Sequence, residues 1–433
     1  MGLFNLLENT VVIGLFGQTY DIALDWIGNL IKGLINGVGI VGVGIILFSL
    51  ILKAIVLPFD VYQRINMRKQ NIKMKENQKR MEKLQKQYAN DKETYQRKVM
   101  EMYKESGISV MSSCLPMILS MIVFISAIGG FNAYSQYSSV ENYNKMVGAY
   151  NAKIQSVMTE MQDAGVNVSE ENGQYTIVID SIETSTHEEL QEVLANITMD
   201  GFNSIEEAED TAVANYVISK AQDAVVEAYE TDVMDSVSFL WVKNIWATDA
   251  TYKHPVLTYS DFKTAVEREE FIIGDDKKSF SDVINAAGSG ISPYDELAYN
   301  RITGKLGEQK AAPNGYYILI LLSIGTILLQ QFISMRSQKE QQQFSSVDGQ
   351  DAAQQKTTLV VMTVMFAVFS FMYSAAFSIY MIMSNILSLI STLIINKVVD
   401  AVAQKRETKA IQAQYNKRFP GRVANAAKNE KKK

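Results

Sequence analysis

The sequence predicts a polytopic α-helical membrane protein, with a five-helix core, a helical hairpin on its cytoplasmic side and an inserted extracytoplasmic α+β domain. Three observations carry this. Regions 38–58, 110–130 and 315–398 are apolar over membrane length, the last long enough for three passes at about 20 residues each. The formal net charge of −6 conceals opposed blocks, with basic segments after the first apolar region and at the C-terminal end. Between the second and third apolar regions, residues 131–312 carry 31 Asp and Glu against 12 Lys and Arg, with no membrane-length apolar run.

Residues 1–19 form an N-terminal segment. It is partly apolar, but no basic stretch precedes its first sixteen residues, so a standard cleaved signal peptide is not expected. Residues 20–36 read as an amphipathic helix. Ala23, Trp26, Ile27, Leu30, Ile31 and Leu34 recur at three- and four-residue spacing, while Asp21, Asp25, Asn29 and Lys32 take the other face. Placed before a span, this helix suits the membrane interface with Trp26 as its anchor, or else packs as an ordinary helix. Gly37, Gly39, Gly42 and Gly44 then break the pattern or permit close helix contact as the first span, 37–60, begins.

Residues 61–107 are strongly basic, and no Pro or Gly interrupts 61–106. The spacing predicts two antiparallel helices with a turn at Ala89-Asn90-Asp91. An excess of Lys and Arg in a short loop places it in the cytoplasm, and the same charges offer a docking surface for RNA, anionic lipid or acidic protein. The second span is 108–130, with Pro116 near its start and Gly129-Gly130 ending it. The acidic domain follows over 131–313. Within it 142–165 and 204–230 look helical, Gln174 to Ile179 looks like a strand, and Phe239-Leu240-Trp241-Val242 is an apolar patch suited to dip into the interface. Lys277-Lys278 and Gly288-Ser289-Gly290 mark a second, looser insertion. The third span is 314–335, a polar loop covers 336–357, the fourth and fifth spans are 358–374 and 376–398, and a basic tail fills 399–433. With the hairpin inside, five passes put the N-terminus outside and the tail inside, so both basic segments fall on one side.

Little chemistry is available. Cys114 is the single cysteine, which excludes an internal disulfide or a multi-cysteine metal site, and its apolar neighbours predict a buried small hydrophobe. The only histidines, His187 and His254, fall in the acidic domain, and no metal-ligand spacing, nucleophile elbow, phosphate-binding loop or dinucleotide fingerprint occurs. The expectation is therefore a non-enzyme with no cofactor and no metal. What remains is polar groups inside spans: Ser49, Lys53, Ser120, Gln330, Gln331, Ser370, Tyr380, Ser384 and Asn385. Singly, each is most often a helix–helix hydrogen bond. Lys53 stands out as a cation in the run from Gly44 to Phe59, where an ionisable group is either functional or a lysine snorkelling to an interface.

Several stretches together resemble the YidC-type membrane protein insertases. They are Ile45 to Phe59, with Lys53 five residues before Pro58; the basic hairpin running through Met102-Tyr103-Lys104-Glu105-Ser106-Gly107-Ile108 into Cys114-Leu115-Pro116; Ser238 to Asn244; Leu329-Gln330-Gln331; and Ile379-Tyr380 with Ser384 to Ser388. The resemblance covers roughly 20–130, 236–252 and 314–400. The chain departs from the family pattern at Lys53, where arginine is usual, at Ser109-Val110, Ser120, Ile122 and Met381, and in its large acidic domain.

The resemblance implies a five-helix insertase core in a bacterial plasma membrane, with a hydrophilic, positively charged groove open to cytoplasm and lipid. Lys53 would stand at its centre, with Ser49, Gln330, Gln331, Tyr380, Ser384 and Asn385 contacting client helices. It implies nascent membrane proteins as partners, with the ribosome, the signal recognition particle pathway, the Sec translocon and membrane lipids beside them, and no specific nucleic-acid sequence. Two other classes compete. A secondary transporter or channel would use Lys53 as a substrate or gating charge, although no internal repeat is evident. A surface receptor or scaffold would place the function in the acidic domain.

Overall fold

The computed structural model describes residues 6–7, 10–107, 111–250, 256–285, 291–311, 314–337 and 371–418, with 357, 360–361, 363–365 and 367–369 also described. The expectations for the loop 336–357 beyond Ser337, for Ser109-Val110, for His254, for Gly288-Ser289-Gly290 and for the end of the tail lie outside these residues, as do those for the side chains of Cys114, Pro116, Ser120 and Ser370. The chain divides into two compact units. The first comprises Met1–Phe48, Ser126–Leu321 and Val368–Ile379; the second comprises Ser49–Ile125, Leu322–Ala367 and Tyr380–Lys433.

Strands β1 (Leu6–Leu7) and β2 (Thr10–Gly14) open the chain. Helices α1 (Trp26–Val38), α2 (Val41–Gln87), α3 (Lys92–Glu105) and α4 (Met111–Asp163) follow. Then come β3 (Val168–Glu171), β4 (Gln174–Val178), α5 (Ile179–Glu183), α6 (Glu188–Ala195), α7 (Ile205–Ala228), a π turn and α8 (Met234–Val237). The chain continues through α9 (Tyr259–Val266), the hairpin β5 (Glu270–Ile273) and β6 (Asp276–Ser279), α10 (Phe280–Asn285), α11 (Glu296–Ile302), α12 (Ile318–Ser337) and α13 (Ala375–Arg418).

The first unit is organised on α4. At Ala127, Phe131, Tyr134, Tyr137, Val140, Tyr143, Met146, Val147, Tyr150, Ile154, Val157, Met158 and Met161 this helix buries a stripe at three- and four-residue spacing. Gly129-Gly130 does not end it. A Cβ at Gly130 would lie 2.3 Å from Ile27 Cγ2, so the missing side chain admits α1 against α4. Here the glycine serves close packing, and its helix cost of roughly 1 kcal/mol is offset by the contact it allows. The predicted helix at 20–36 starts at Trp26, because Asp25 caps it by accepting a bond from Gly28 N and so lies before the helix rather than on its polar face. Its buried stripe is Ile27, Ile31 and Ile35, while Trp26 is exposed. Gly39, at φ 76°, closes the helix.

The N-terminal segment, which sequence left without structure, is a pairing partner. β2 pairs antiparallel with β4 (Val11 opposite Ile177, Ile13 opposite Tyr175) in a sheet of order β1-β2-β4-β3. Further on, Phe16 bridges Ile291 and Ile22 bridges Phe271. Asn151 on α4 clamps the segment by accepting from Phe16 N at 3.0 Å and donating to Phe16 O at 2.8 Å. Tyr294 Oη accepts from Tyr20 N at 2.7 Å.

In the second unit the outer part of α2 and α3 form the basic hairpin. The turn falls where sequence put it, with Asp91 capping α3 by accepting from Thr94 N at 3.0 Å. Contacts run antiparallel: Lys73 Nζ to Gly107 O, Asn77 Nδ2 to Ser106 Oγ, Arg80 to Glu105, and Met81 against Tyr103. Met81 and Met102 are buried. The exposed Arg80–Glu105 pair contributes little, since surface pairs are worth about 0–1 kcal/mol, so the buried methionines hold the hairpin.

Within α2 and α13 respectively, Val41–Asn66 and Ala375–Val398 are long and apolar enough to cross a bilayer, and α12 holds a shorter apolar run, Ile318–Ile333. Large exposed apolar side chains gather on these helices (Leu50, Ile55, Leu321, Phe332, Ile390, Ile394), on α4 at Ile118 to Ile125, and over Val360 to Met372.

Among the described residues, two acids of the acidic domain, Asp210 and Asp249, lie buried rather than at the surface. Asp210 of α7 is 3% exposed and its Oδ1 lacks a hydrogen bond. Burial, with Glu209 and Glu206 adding to it, pushes its carboxyl up to about 6. The folded chain therefore holds this proton more tightly than the unfolded one, and stability falls as pH rises from about 4 to about 6. Asp210→Asn removes that slope. It is expected to stabilise the solubilised full chain at about pH 7 by up to about 3 kcal/mol, read as a raised melting midpoint, and to leave the midpoint unchanged at about pH 4. A midpoint unchanged at the higher pH would show that Asp210 is not a buried charge.

Candidate functional site

The four- and three-residue spacing of Ser49, Lys53, Val56 and Asp60 puts them on one face of α2. Ser49 is buried. Lys53 Nζ donates to Asp60 Oδ2 at 2.6 Å and to Ser388 Oγ of α13 at 3.0 Å. The Lys53 and Asp60 side chains are 14% and 25% exposed. The sequence showed Lys53 as a lone cation and Asp60 as the end of the span. The fold instead makes them a pair two helical turns apart, on either side of Pro58. Their seven-residue spacing was the available signal for this partner.

The other polar residues predicted for the site do not all converge on Lys53. Gln331 Oε1 accepts from Thr363 Oγ1 at 2.8 Å, and Gln330 beside it is half-buried. Asn385, buried on α13, donates to Thr326 Oγ1 of α12 at 3.3 Å. Tyr380 is buried, and its hydroxyl bonds Ser384 one turn further on. Bonds of this kind between membrane helices are worth about 0.6–2 kcal/mol each, so Gln331 and Asn385 act first as links between helices. The group assembled around Lys53 is Asp60 and Ser388. Charge and hydroxyl meet there on the lysine.

The first unit holds a second polar cluster that sequence missed. Asp249 is fully buried. Its Oδ2 accepts from Ile320 N at 3.3 Å, and its backbone carbonyl accepts from Gly315 N at 2.8 Å. Burial raises its carboxyl above the usual range, opposed by the N–H groups of Ile320 and Leu319. Asn314 Nδ2 donates to Asn244 O at 2.6 Å and Thr248 O at 3.1 Å, while Asn314 Oδ1 accepts from Asn244 N at 2.8 Å. The carbonyls of Ala247 and Ile245 accept from Ala375 N and Ala376 N at 2.8 and 2.7 Å. Residues 244–249 thus satisfy the first N–H groups of both α12 and α13, which would otherwise lack partners. Among so many acids nothing in the sequence separated Asp249 from its solvated neighbours.

Coupling in the Lys53–Asp60 pair is measurable. Lys53→Met and Asp60→Leu, made singly, are each expected to lower stability by about 1–3 kcal/mol by leaving an uncompensated charge, and the double variant to recover most of that loss. Melting midpoints of the purified protein in detergent read this. Losses that simply add would show two independent side chains.

Comparison with known proteins extends this picture. Residues 33–171 and 216–404 match the family model described as the 60Kd inner membrane protein. A protein of Caldanaerobacter subterraneus subsp. tengcongensis described as membrane protein insertase YidC is 32% identical over 114 residues, which are 26% of this chain and 53% of that protein. One of Clostridium tetani with the same description is 36% identical over 99 residues, 23% of this chain and 43% of that protein. One of Francisella philomiragia, likewise described, is 35% identical over 120 residues, 28% of this chain and 20% of its own length. The chain spans about half the length of these curated relatives, or less.

Proposed function

The chain belongs to the 60Kd inner membrane protein family, and on that premise we propose that it is a membrane protein insertase and chaperone, which inserts and helps to fold nascent integral membrane proteins. The observation that carries the proposal is the pair of Lys53 with Asp60 inside an apolar segment, joined by Ser388. The relatives described as insertases support the same reading.

In this reading the two helix faces line a hydrophilic groove centred on Lys53. Ser49, Gln330, Gln331, Tyr380, Ser384 and Asn385 supply its polar walls. A hydrated groove lowers the cost of carrying short polar termini through hydrocarbon. At rest, Asp60 neutralises Lys53. An acidic residue in a client's translocating end displaces Asp60 and takes the lysine in turn. Such an exchange costs far less than creating an unpaired charge, because a unit pair at 4 Å is worth about 4 kcal/mol at an effective dielectric of 20. Lysine gives a point charge without the bidentate fork of arginine, which suits transient capture. The client then leaves sideways into lipid. Five spans, with the basic hairpin and tail in the cytoplasm, complete the arrangement. The exposed cations of α2 and α3 suit the ribosome, the signal recognition particle pathway or anionic lipid, with the Sec translocon as a membrane neighbour. No step requires an enzyme's chemistry or a cofactor.

A photoactivatable crosslinker at Val56, on the Lys53 face, is expected to capture a ribosome-stalled membrane protein. Lys53→Glu is expected to lower insertion of clients with acidic N-terminal tails at least tenfold, a loss of about 1.4 kcal/mol or more. Asp60→Asn, which frees the lysine, is expected to strengthen the crosslink to those clients. Normal complementation of an insertase-depleted cell by Lys53→Glu would sink the role of the charge. Solute flux across reconstituted liposomes, with no nascent chain captured, would favour a transporter or channel built on the same lysine.

A further inference from the structure

Four non-glycine residues among the described ones have positive φ: Asn172, Leu240, Tyr316 and Tyr317. Asn172 sits in the tight turn between β3 and β4, where its residue type is at home. The other three are a leucine at 56° and two tyrosines at 59° and 63°. Bulky residues pay for this left-handed conformation unless the fold forces it on them. All three are also exposed, Leu240 at 70%, Tyr316 at 54% and Tyr317 at 44%, and Trp241 beside Leu240 is 38% exposed. The backbone is strained, yet the apolar side chains it turns outward stay exposed.

These residues form one patch. Lys243 N bonds Asn314 O at 3.3 Å and Asn244 N bonds Asn314 Oδ1 at 2.8 Å, which seats the turn 239–242 beside 314–317. The patch also lies level with the starts of two apolar segments. Tyr317 immediately precedes α12, whose run Ile318–Ile333 is apolar. Phe239 packs on Gly42, where a Cβ would fall 2.2 Å from the ring, at the start of the segment Val41–Asn66. Phe239 and Val242 exchange two backbone bonds at 3.0 Å, so the turn between them is fixed and Leu240-Trp241 is its tip.

We propose that Leu240, Trp241, Tyr316 and Tyr317 form a preformed anchor that inserts into the headgroup–acyl boundary of the bilayer at the ends of α2 and α12. Trp and Tyr favour that boundary because the ring is apolar and its edge can hydrogen-bond. Position at the ends of two membrane-length segments selects lipid over a soluble partner. The strain is held by the Asn314 and Gly42 contacts, and lipid supplies the burial that the chain does not. Client handling plays no part in this proposal, so it stands or falls separately from the insertase reading.

The chain has three tryptophans, Trp26, Trp241 and Trp246. Full-length Trp26→Phe protein, reconstituted in phosphatidylcholine vesicles with brominated lipid, reports Trp241 against the buried Trp246; the Trp26→Phe, Trp241→Phe protein gives the background, which avoids altering Trp246. Trp241 is expected to lose most of its emission when bromine lies near the headgroup end of the acyl chains, less when bromine lies at the bilayer centre, and little to aqueous iodide. Leu240→Gly, which relaxes the turn and removes its apolar tip, is expected to weaken bromolipid quenching and to admit iodide. Iodide quenching without a bromolipid effect would overturn the anchor, as would protection from both quenchers, which would mean that protein covers the patch. Unchanged quenching in Leu240→Gly would overturn the role of the strained turn.

Discussion

Hydrocarbon offers no solvent for a charge or a loose N–H group, and that constraint orders the polar contacts of this chain. Lys53 answers it with a carboxylate on its own helix and a hydroxyl on α13. The first N–H groups of α12 and α13 answer it with a buried carboxylate and two carbonyls from residues 245–249. Both solutions use short, non-repeating contacts, because apolar packing can hold helices together but cannot satisfy their ends.

These two solutions differ in what they permit. Asp249 and Asn314 are fully buried, and Asn314 bridges to the carbonyls of Asn244 and Thr248, so the arrangement favours rigidity. Lys53 and Asp60 retain partial exposure and meet through flexible side chains along a single helix.

Much of this was legible in the sequence, and the failures have physical causes. The basic hairpin was readable because an unbroken run of helix formers contained one good turn, and Asp91 caps α3 where Ala89-Asn90-Asp91 predicted the chain reversal. The apolar segments in α2 and α13 were readable from length and composition. The helix runs on through Gly129-Gly130, since a glycine pair can serve close packing rather than a helix end, and Ile27 is the neighbour it admits only in three dimensions. β2 was hidden for a related reason. Its five residues find their partner at Gln174–Val178, and a short apolar strand carries no mark of a pairing so far along the chain.

Lys53 shows how a residue can stand out in the sequence while the partner that sets its physics goes unread. A bare cation in an apolar helix would be costly to fold and would attract any available anion. Pairing with Asp60 removes that cost at rest. In the proposed exchange a client must offer a carboxylate that replaces Asp60, which would make selectivity a matter of competition. Pro58 between the two strengthens the point, because proline lacks the N–H that would otherwise help close the helix there and favours local bending of α2. The separation of Lys53 and Asp60 therefore depends on backbone shape at Pro58 as well as on side-chain rotamers, and the charge at this site is set jointly by three positions of the sequence rather than by the lysine alone.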